Sequence, residues 1–279
     1  MIVWLNGALL DEETARIDPR DRGFLLGDGL FETILVRHGR PRLLTAHIER
    51  LARGAEQLGF PPPPSAPHLA TVCAQVLEAN GLSGRPQASL RITLTRGPGP
   101  RGLSPPEDPH PTLLIGAANA APHPTALSAI IATVRRNEHS PTARLKTLAY
   151  LDNVLAKREA LAAGANEALM LNGAGHLACA SAANLFMFEN TALITPPLTD
   201  GALAGTVRGV LLGLAPRLGI DTREESITPE RLSRAAGAFV TNSLIGLCPL
   251  TRIGATALPP HTLTSRLAAA YEMKCGEEE

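Results

Sequence analysis

Lys146 is the residue in this chain best suited to covalent chemistry. It sits in the largely apolar stretch "ARLKTLAYLDN", just ahead of a helical pattern. Lysine is rarely well buried without a task. Desolvation lowers its pKa and equips the amine to form a Schiff base with a carbonyl. The competing role is a surface lysine whose stem snorkels along apolar neighbours. "GHLACASAANLF" offers two further nucleophiles, Cys179 and Ser181. Ser181 lacks a GxSxG context, and spacing supplies no histidine partner. An isolated cysteine such as Cys179 is most often a small buried apolar residue. Anion sites are suggested by Arg50 in "HIERL" and by "AGTVRG", where Gly205 and Thr206 open a helix whose first-turn N–H groups and dipole favour phosphate. "GPGPRG" (97–102) lacks the Lys-Ser/Thr ending of a phosphate loop and reads as a surface turn carrying one arginine. Together, Lys146, Arg50, the glycine-opened helix and "TNSL" suit a cofactor bearing an aldehyde and a phosphate.

The elements that must position these residues follow from the local pattern. "IVWLNGALLD" predicts a hairpin turning at Asn6-Gly7, and "GLFETILVRHGRPRLL" a second one turning at His38 to Pro41. Thr45 is the expected cap of a helix running to about Leu58, with Leu44, Ile48, Leu51 and Leu58 at helical spacing. A run of prolines from Pro61 to Pro64 prevents any helix there. Another helix is expected over His68 to Leu82, then strands in "ASLRITLTRG" and "PTLLIGAANA". Residues 1–118 thus have an α+β pattern, and the Ala/Pro-rich segment 119–126 reads as a linker. In 127–279 the expected elements are the strand "LSAIIATVRR", a helix from Ala149 to Ala163 closed by Gly164, and short strands at Glu167–Leu171, Leu177–Cys179 and Asn184–Phe188. They continue with a helix from Thr206 to Leu214 ended by Pro216, and a short helix with Thr228 as cap and Pro229 at its first position. The strand "GAFVTNS" and a helix over Thr262 to Lys274 complete the pattern.

Composition excludes several classes. The chain has 279 residues, with 26 basic and 26 acidic side chains, so it offers no broad basic field for nucleic acid or an anionic membrane. Aromatics at 3% make base-stacking platforms improbable. No apolar run approaches the ~18 residues of a membrane span. The N-terminus lacks the basic region of a signal peptide. Cys73, Cys179, Cys248 and Cys275 contain no CxxC pair and the histidines no HExxH spacing, so free thiols in a reducing cytoplasm are expected, without metal or disulfide.

At this point the sequence resembles the fold-type IV pyridoxal-phosphate enzymes: branched-chain aminotransferases, D-amino acid aminotransferases and aminodeoxychorismate lyases. The matching stretches are "DRGFLLGDGLFETI", "HIERL", "LKTLAYLDNVLAKREA", "GANEALMLN", "SAANLF", "LITPPL", "GTVRGVLL" and "FVTNSLIGLCPL", in family order over nearly the whole chain. The resemblance implies a two-domain α+β and α/β fold with pyridoxal 5′-phosphate between a small N-terminal domain (1–118) and a larger C-terminal one (127–279). It implies a cytoplasmic homodimer acting on a small amino substrate. Lys146 is similar to the Schiff-base lysine, which also moves substrate protons. Arg50 is similar to the phosphate arginine of the HxxRL motif. The backbone of Gly205, Thr206 and Val207, with Ser243, resembles the rest of the phosphate cradle. Tyr150 matches a tyrosine that reaches the cofactor's phenolic oxygen.

Cys179 departs from the family. The usual residue five positions before the Asn of "SAANLF" is Glu, whose carboxylate keeps the pyridine nitrogen protonated and so strengthens the ring as an electron sink. A neutral thiol, with a reference pKa near ~8.5, lacks that charge. Either Cys179 ionises beside a pyridinium or the ring stays neutral.

Activity within the family turns on few residues. "TRGPGPRGL" resembles the RGxGxRG loop of the lyases, where Arg101 would meet a substrate carboxylate. D-amino acid aminotransferases carry Tyr and His where this chain has Phe31 and Leu103. The leading expectation is a lyase converting 4-amino-4-deoxychorismate, in folate biosynthesis, into 4-aminobenzoate and pyruvate. The alternative is an aminotransferase for D-amino acids, branched-chain amino acids or amines, and the third expectation, given Cys179, a non-catalytic or altered-function relative.

Overall fold

The computed structural model describes residues 1–277. Contacts divide the chain into two compact units: Met1–Ala121 with Lys146–Ala149, and Pro122–Leu145 with Tyr150–Glu277. Limits drawn from composition alone, 1–118 and 127–279, miss the return of residues 146–149 to the first unit.

In the first unit the described strands form one sheet in the order β2-β1-β6-β5-β3-β4. They are β1 (Ile2–Leu5), β2 (Ala8–Asp11), β3 (Gly29–Arg37), β4 (Arg40–Pro41), β5 (Gln87–Thr95) and β6 (Thr112–Asn119), all paired antiparallel. The Asn6-Gly7 turn forms as expected, with φ 48° and 104°. Three helices accompany the sheet: α1 (Arg22–Leu26), α2 (Leu44–Gln57) and α3 (Ala66–Ala79). Period-2 alternation in β3 sends Leu30, Glu32, Ile34 and Val36 to the face covered by α2, and each is buried. Each such aliphatic side chain contributes about 1.5–3 kcal/mol. Phe31 points to the opposite face. Thr45 does not cap α2; the helix starts two residues earlier than that cap would place it, at Leu44, and the cap is Leu43 in a left-handed conformation with no side-chain bond.

In the second unit a mixed sheet runs β12-β11-β10-β13-β14-β7-β8-β9, with β15 on β14. These are β7 (Leu127–Ile131), β8 (Glu167–Leu171), β9 (Leu177–Ala180), β10 (Asn184–Glu189), β11 (Ala192–Thr195), β12 (Thr222–Glu224), β13 (Gly237–Asn242), β14 (Gly246–Ile253) and β15 (Thr256–Ala257). The helices are α4 (Leu151–Ala162), α5 (Thr206–Arg217), α6 (Pro229–Ser233) and α7 (Thr262–Glu277). β8 and α6 match expectation, down to the Thr228 hydroxyl accepting the Arg231 N–H. β7 ends five residues before the expected Arg136. Pro216 lies inside α5 rather than after it, because it occupies the last turn. β8 is buried along its whole length, since α4 packs on it.

Candidate active site

Residues 146–148 run along the open edge of β3. Phe31 N–H donates to the Lys146 carbonyl and Leu148 N–H to the Gly29 carbonyl, both at 2.9 Å, and Thr147 bridges Leu30. Thr147 therefore shares Leu30's buried face, and alternation turns Lys146 to Phe31's face. Its Nζ lies 4.2 Å from the Phe31 ring centroid. The Arg91 guanidinium lies 4.0 Å from the same ring. Two cations and one aromatic ring thus meet on a single face of the sheet. Arg91 was not foreseen from sequence. The signal was available only once β3 and β5 were known to be neighbours, since Phe31 pairs with Thr93, two positions from Arg91.

On the other face a charged cluster is buried between β3 and α2. Glu32, 1% exposed, accepts Arg50 Nε at 2.8 Å and Nη2 at 2.5 Å, a bidentate pair. His47 Nδ1 lies 2.6 Å from the second Glu32 oxygen. Burial pushes the Glu32 carboxyl up, but the Arg50 and His47 hydrogen bonds outweigh it and hold its pKa below the usual range. Burial, with the nearby charges of Arg50 and Lys146, lowers the pKa of His47, despite its bond to Glu32. His47 is therefore neutral at pH 7 and donates from Nδ1. The spacing of His47 and Arg50 places both on one face of α2, whereas their acid partner comes from a distant strand.

In the second unit α5 opens at Gly205. The residue is extended rather than left-handed, at φ −67°, so glycine is required by space instead. A Cβ there would lie 2.0 Å from Asn184 Oδ1. Asn184 Nδ2 donates to the Leu203 carbonyl at 2.8 Å and fixes the approach to the helix. The first-turn amides, Val207 among them, have no intrahelical acceptor. The Thr206 and Ser243 hydroxyls face each other at 3.5 Å. This is a cradle of backbone N–H and hydroxyl groups, consistent with a phosphate ester. Tyr150 is the N-terminal boundary residue of α4.

Cys179 is buried in β9 among small and apolar side chains, including Ala132, Ala156, Ala160 and Met170. Burial raises its thiol pKa above the ordinary value, with partial relief from the Arg136 charge. The thiolate alternative finds no support in these surroundings. Ser181 is not a nucleophile: its hydroxyl donates to buried Glu167, whose carboxylate also accepts the Ser181 N–H at 3.2 Å. Arg101 is exposed on the β5–β6 connection. Among the described residues no group of acids, histidines or cysteines is placed to hold a metal ion. None of the described helices is long and apolar enough to cross a membrane.

The sequence profile for amino-transferase class IV matches residues 29–253, from the start of β3 to the end of β14. The chain belongs to the class IV aminotransferase family. A Methanocaldococcus jannaschii protein named as a branched-chain-amino-acid aminotransferase is 34% identical over 91% of this chain and 88% of its own. The aminodeoxychorismate lyase of Bacillus subtilis is 30% identical, covering 90% and 86%. The crystal structure of a Thermoproteus uzoniensis branched-chain aminotransferase with norvaline superposes with a TM-score of 0.92 at 30% identity, over 100% of this chain and 96% of that one. Class IV enzymes use pyridoxal 5′-phosphate. The chemistry of the groups present fits its aldehyde and phosphate: in the first unit an amine on a sheet edge and an arginine oriented by an acid, and in the second a glycine-opened helix start beside two hydroxyls.

Proposed function

We propose that this class IV enzyme is a lyase that splits 4-amino-4-deoxychorismate into 4-aminobenzoate and pyruvate. The observation that carries the reading is the alanine-lined burial of Cys179, which leaves a neutral thiol where a fixed carboxylate would strengthen the electron sink. Elimination from this substrate aromatises its ring, and that driving force lessens the need for a strong sink. A substrate with two carboxylates also suits two arginines, Arg91 beside Phe31 and Lys146, and Arg101 on its loop.

Pyridoxal phosphate, when bound, supplies an aldehyde for the substrate amine and withdraws electrons from the bond that breaks. Lys146 would hold it covalently through Nζ, and once the substrate amine has taken that place Nζ would be a free amine. That nitrogen would take the proton from the ring carbon bearing the substrate amine; the electron pair would enter the ring as it becomes aromatic, the ring C–O bond to the enolpyruvyl group would break, and the departing enol would take up a proton at its methylene carbon as pyruvate. Arg50, oriented by Glu32, and the Gly205–Val207 amides with Ser243 hold the phosphate. Tyr150 would donate toward the phenolic oxygen, and Cys179 would lie toward the ring nitrogen. Phe31 forms a wall of the substrate site.

The second reading is an aminotransferase, favoured by the branched-chain aminotransferase names of the M. jannaschii and T. uzoniensis relatives. Purified protein given aminodeoxychorismate is expected to release pyruvate with no keto acid present. A strict requirement for a keto acid, with no pyruvate in its absence, rejects the lyase.

A further inference from the structure

The connection between β5 and β6 carries the "GPGPRG" stretch and has almost no regular structure. It is nonetheless built around one side chain from elsewhere. Arg22, in α1, is 5% exposed. Its Nη1 donates to the carbonyls of Gly102 at 3.2 Å and Ser104 at 3.1 Å, and its Nη2 to that of Leu103 at 3.0 Å. Its Nε donates to Asp28 at 2.8 Å, and Arg96, at the start of the connection, donates to the same oxygen at 2.8 Å. The backbone adds to this: Arg22 N–H donates to the Gly97 carbonyl at 2.9 Å. A Cβ on Gly99 would lie 2.8 Å from Arg22 Cδ, so the loop lies directly on the arginine stem.

A planar fork satisfying consecutive carbonyls fixes the peptide planes of 102–104. The residue immediately before them is Arg101, whose side chain stays outside the clamp and exposed. A lysine at 22 would keep the charge opposite Asp28 but gather its donors on one nitrogen, without the planar fork.

We infer that Arg22 is a positioning residue for substrate recognition: its clamp on carbonyls 102–104 holds the loop so that Arg101 is presented as a carboxylate receptor. This rests on the reading of Arg101 given above, whereas the clamp itself does not. Pre-organisation of a receptor lowers the ordering cost of binding and so acts on affinity.

The test uses holoenzyme with Arg22→Lys, Arg101→Ala and the double variant. Trypsin cleavage after Arg101, mapped by mass spectrometry, reports the clamp independently of catalysis. Arg22→Lys is expected to be cut at least about tenfold faster than the parent, with KM for aminodeoxychorismate raised about tenfold and kcat within about twofold. If the lyase assay is silent, KM is taken for the amino acid in the keto-acid assay. The double variant should be no worse than Arg101→Ala alone, because the effect runs through Arg101. Multiplying KM effects, a kcat loss at unchanged KM, or unchanged cleavage overturns the inference. If Arg101→Ala leaves KM unaltered, the Arg101 reading and the inference fail together, while faster cleavage in Arg22→Lys would still show the clamp to be real.

Discussion

Glu32 and Cys179 are both buried strand residues, and their surroundings are opposite in kind. Glu32 keeps a full charge because Arg50 and His47 fold against it from the same helix, α2. Cys179 sits in a pocket of alanines, and no ion pair or side-chain hydrogen bond is made to its sulfur among the described residues. A buried charge persists where its partners are supplied by the chain. A charge whose partner would be the cofactor ring has no such support in the protein alone, and here the chain has a neutral group. The chain thus supplies a buried charge with its partners in the first case and keeps a neutral group in the second.

The largest effect concerns neither pole of this contrast but what they serve. Lys146→Ala should abolish the cofactor's covalent absorption band and cut turnover by about 10³-fold or more; a variant that retains both would dissolve the comparison. Next, Glu32→Ala leaves Arg50 half-buried without its acid and should cost about 3–5 kcal/mol in urea unfolding of cofactor-free protein. A cost near that of a surface substitution would mean the cluster is not what secures α2. Cys179→Glu brings the two poles closer. Without cofactor it should destabilise by about 1–3 kcal/mol, as an unsatisfied buried polar group does. With cofactor it should raise transamination relative to pyruvate release, and an unchanged ratio would reject the neutral-ring argument.

The smallest effect is in pH. The folded pKa of His47 is lowered, so its contribution is full above the unfolded value near ~6.5 and is lost as pH falls through the folded value. Glu32 has a lowered pKa too, so its share is full above an unfolded value near ~4.3 and is lost at more acidic pH. Stability should therefore decline in two stages on acidification. His47→Gln should flatten only the upper stage, by about 1 kcal/mol or less, in thermal melts between about pH 6.5 and 5.

Much of this was legible in the sequence, where local pattern decides. The turn at Asn6-Gly7, β8 with its apolar run after Glu167, and the Thr228–Pro229 helix start each depend on neighbours in the chain. α1 escaped because it is short and leaves Phe24 75% and Leu25 57% exposed, so it lacks the apolar stripe that marks a helix. Arg91 and the acid partner of Arg50 escaped for another reason. Alternation states which face of a strand a residue takes, not which strand lies beside it. Cys179 stood out in the sequence as a candidate nucleophile, resemblance set it at the ring nitrogen, and the structure supplied what spacing does not, the alanine lining around its thiol.

The strap of residues 146–148 on the edge of β3 has a consequence for how such a protein can be inherited. Lys146 is encoded within the stretch that builds the second unit, yet its backbone carbonyl is hydrogen-bonded into the first. A gene cut between residues 121 and 122 would separate the lysine from the strand that aims it. The first half would travel without its lysine, and the second would carry the lysine without the strand that holds its backbone.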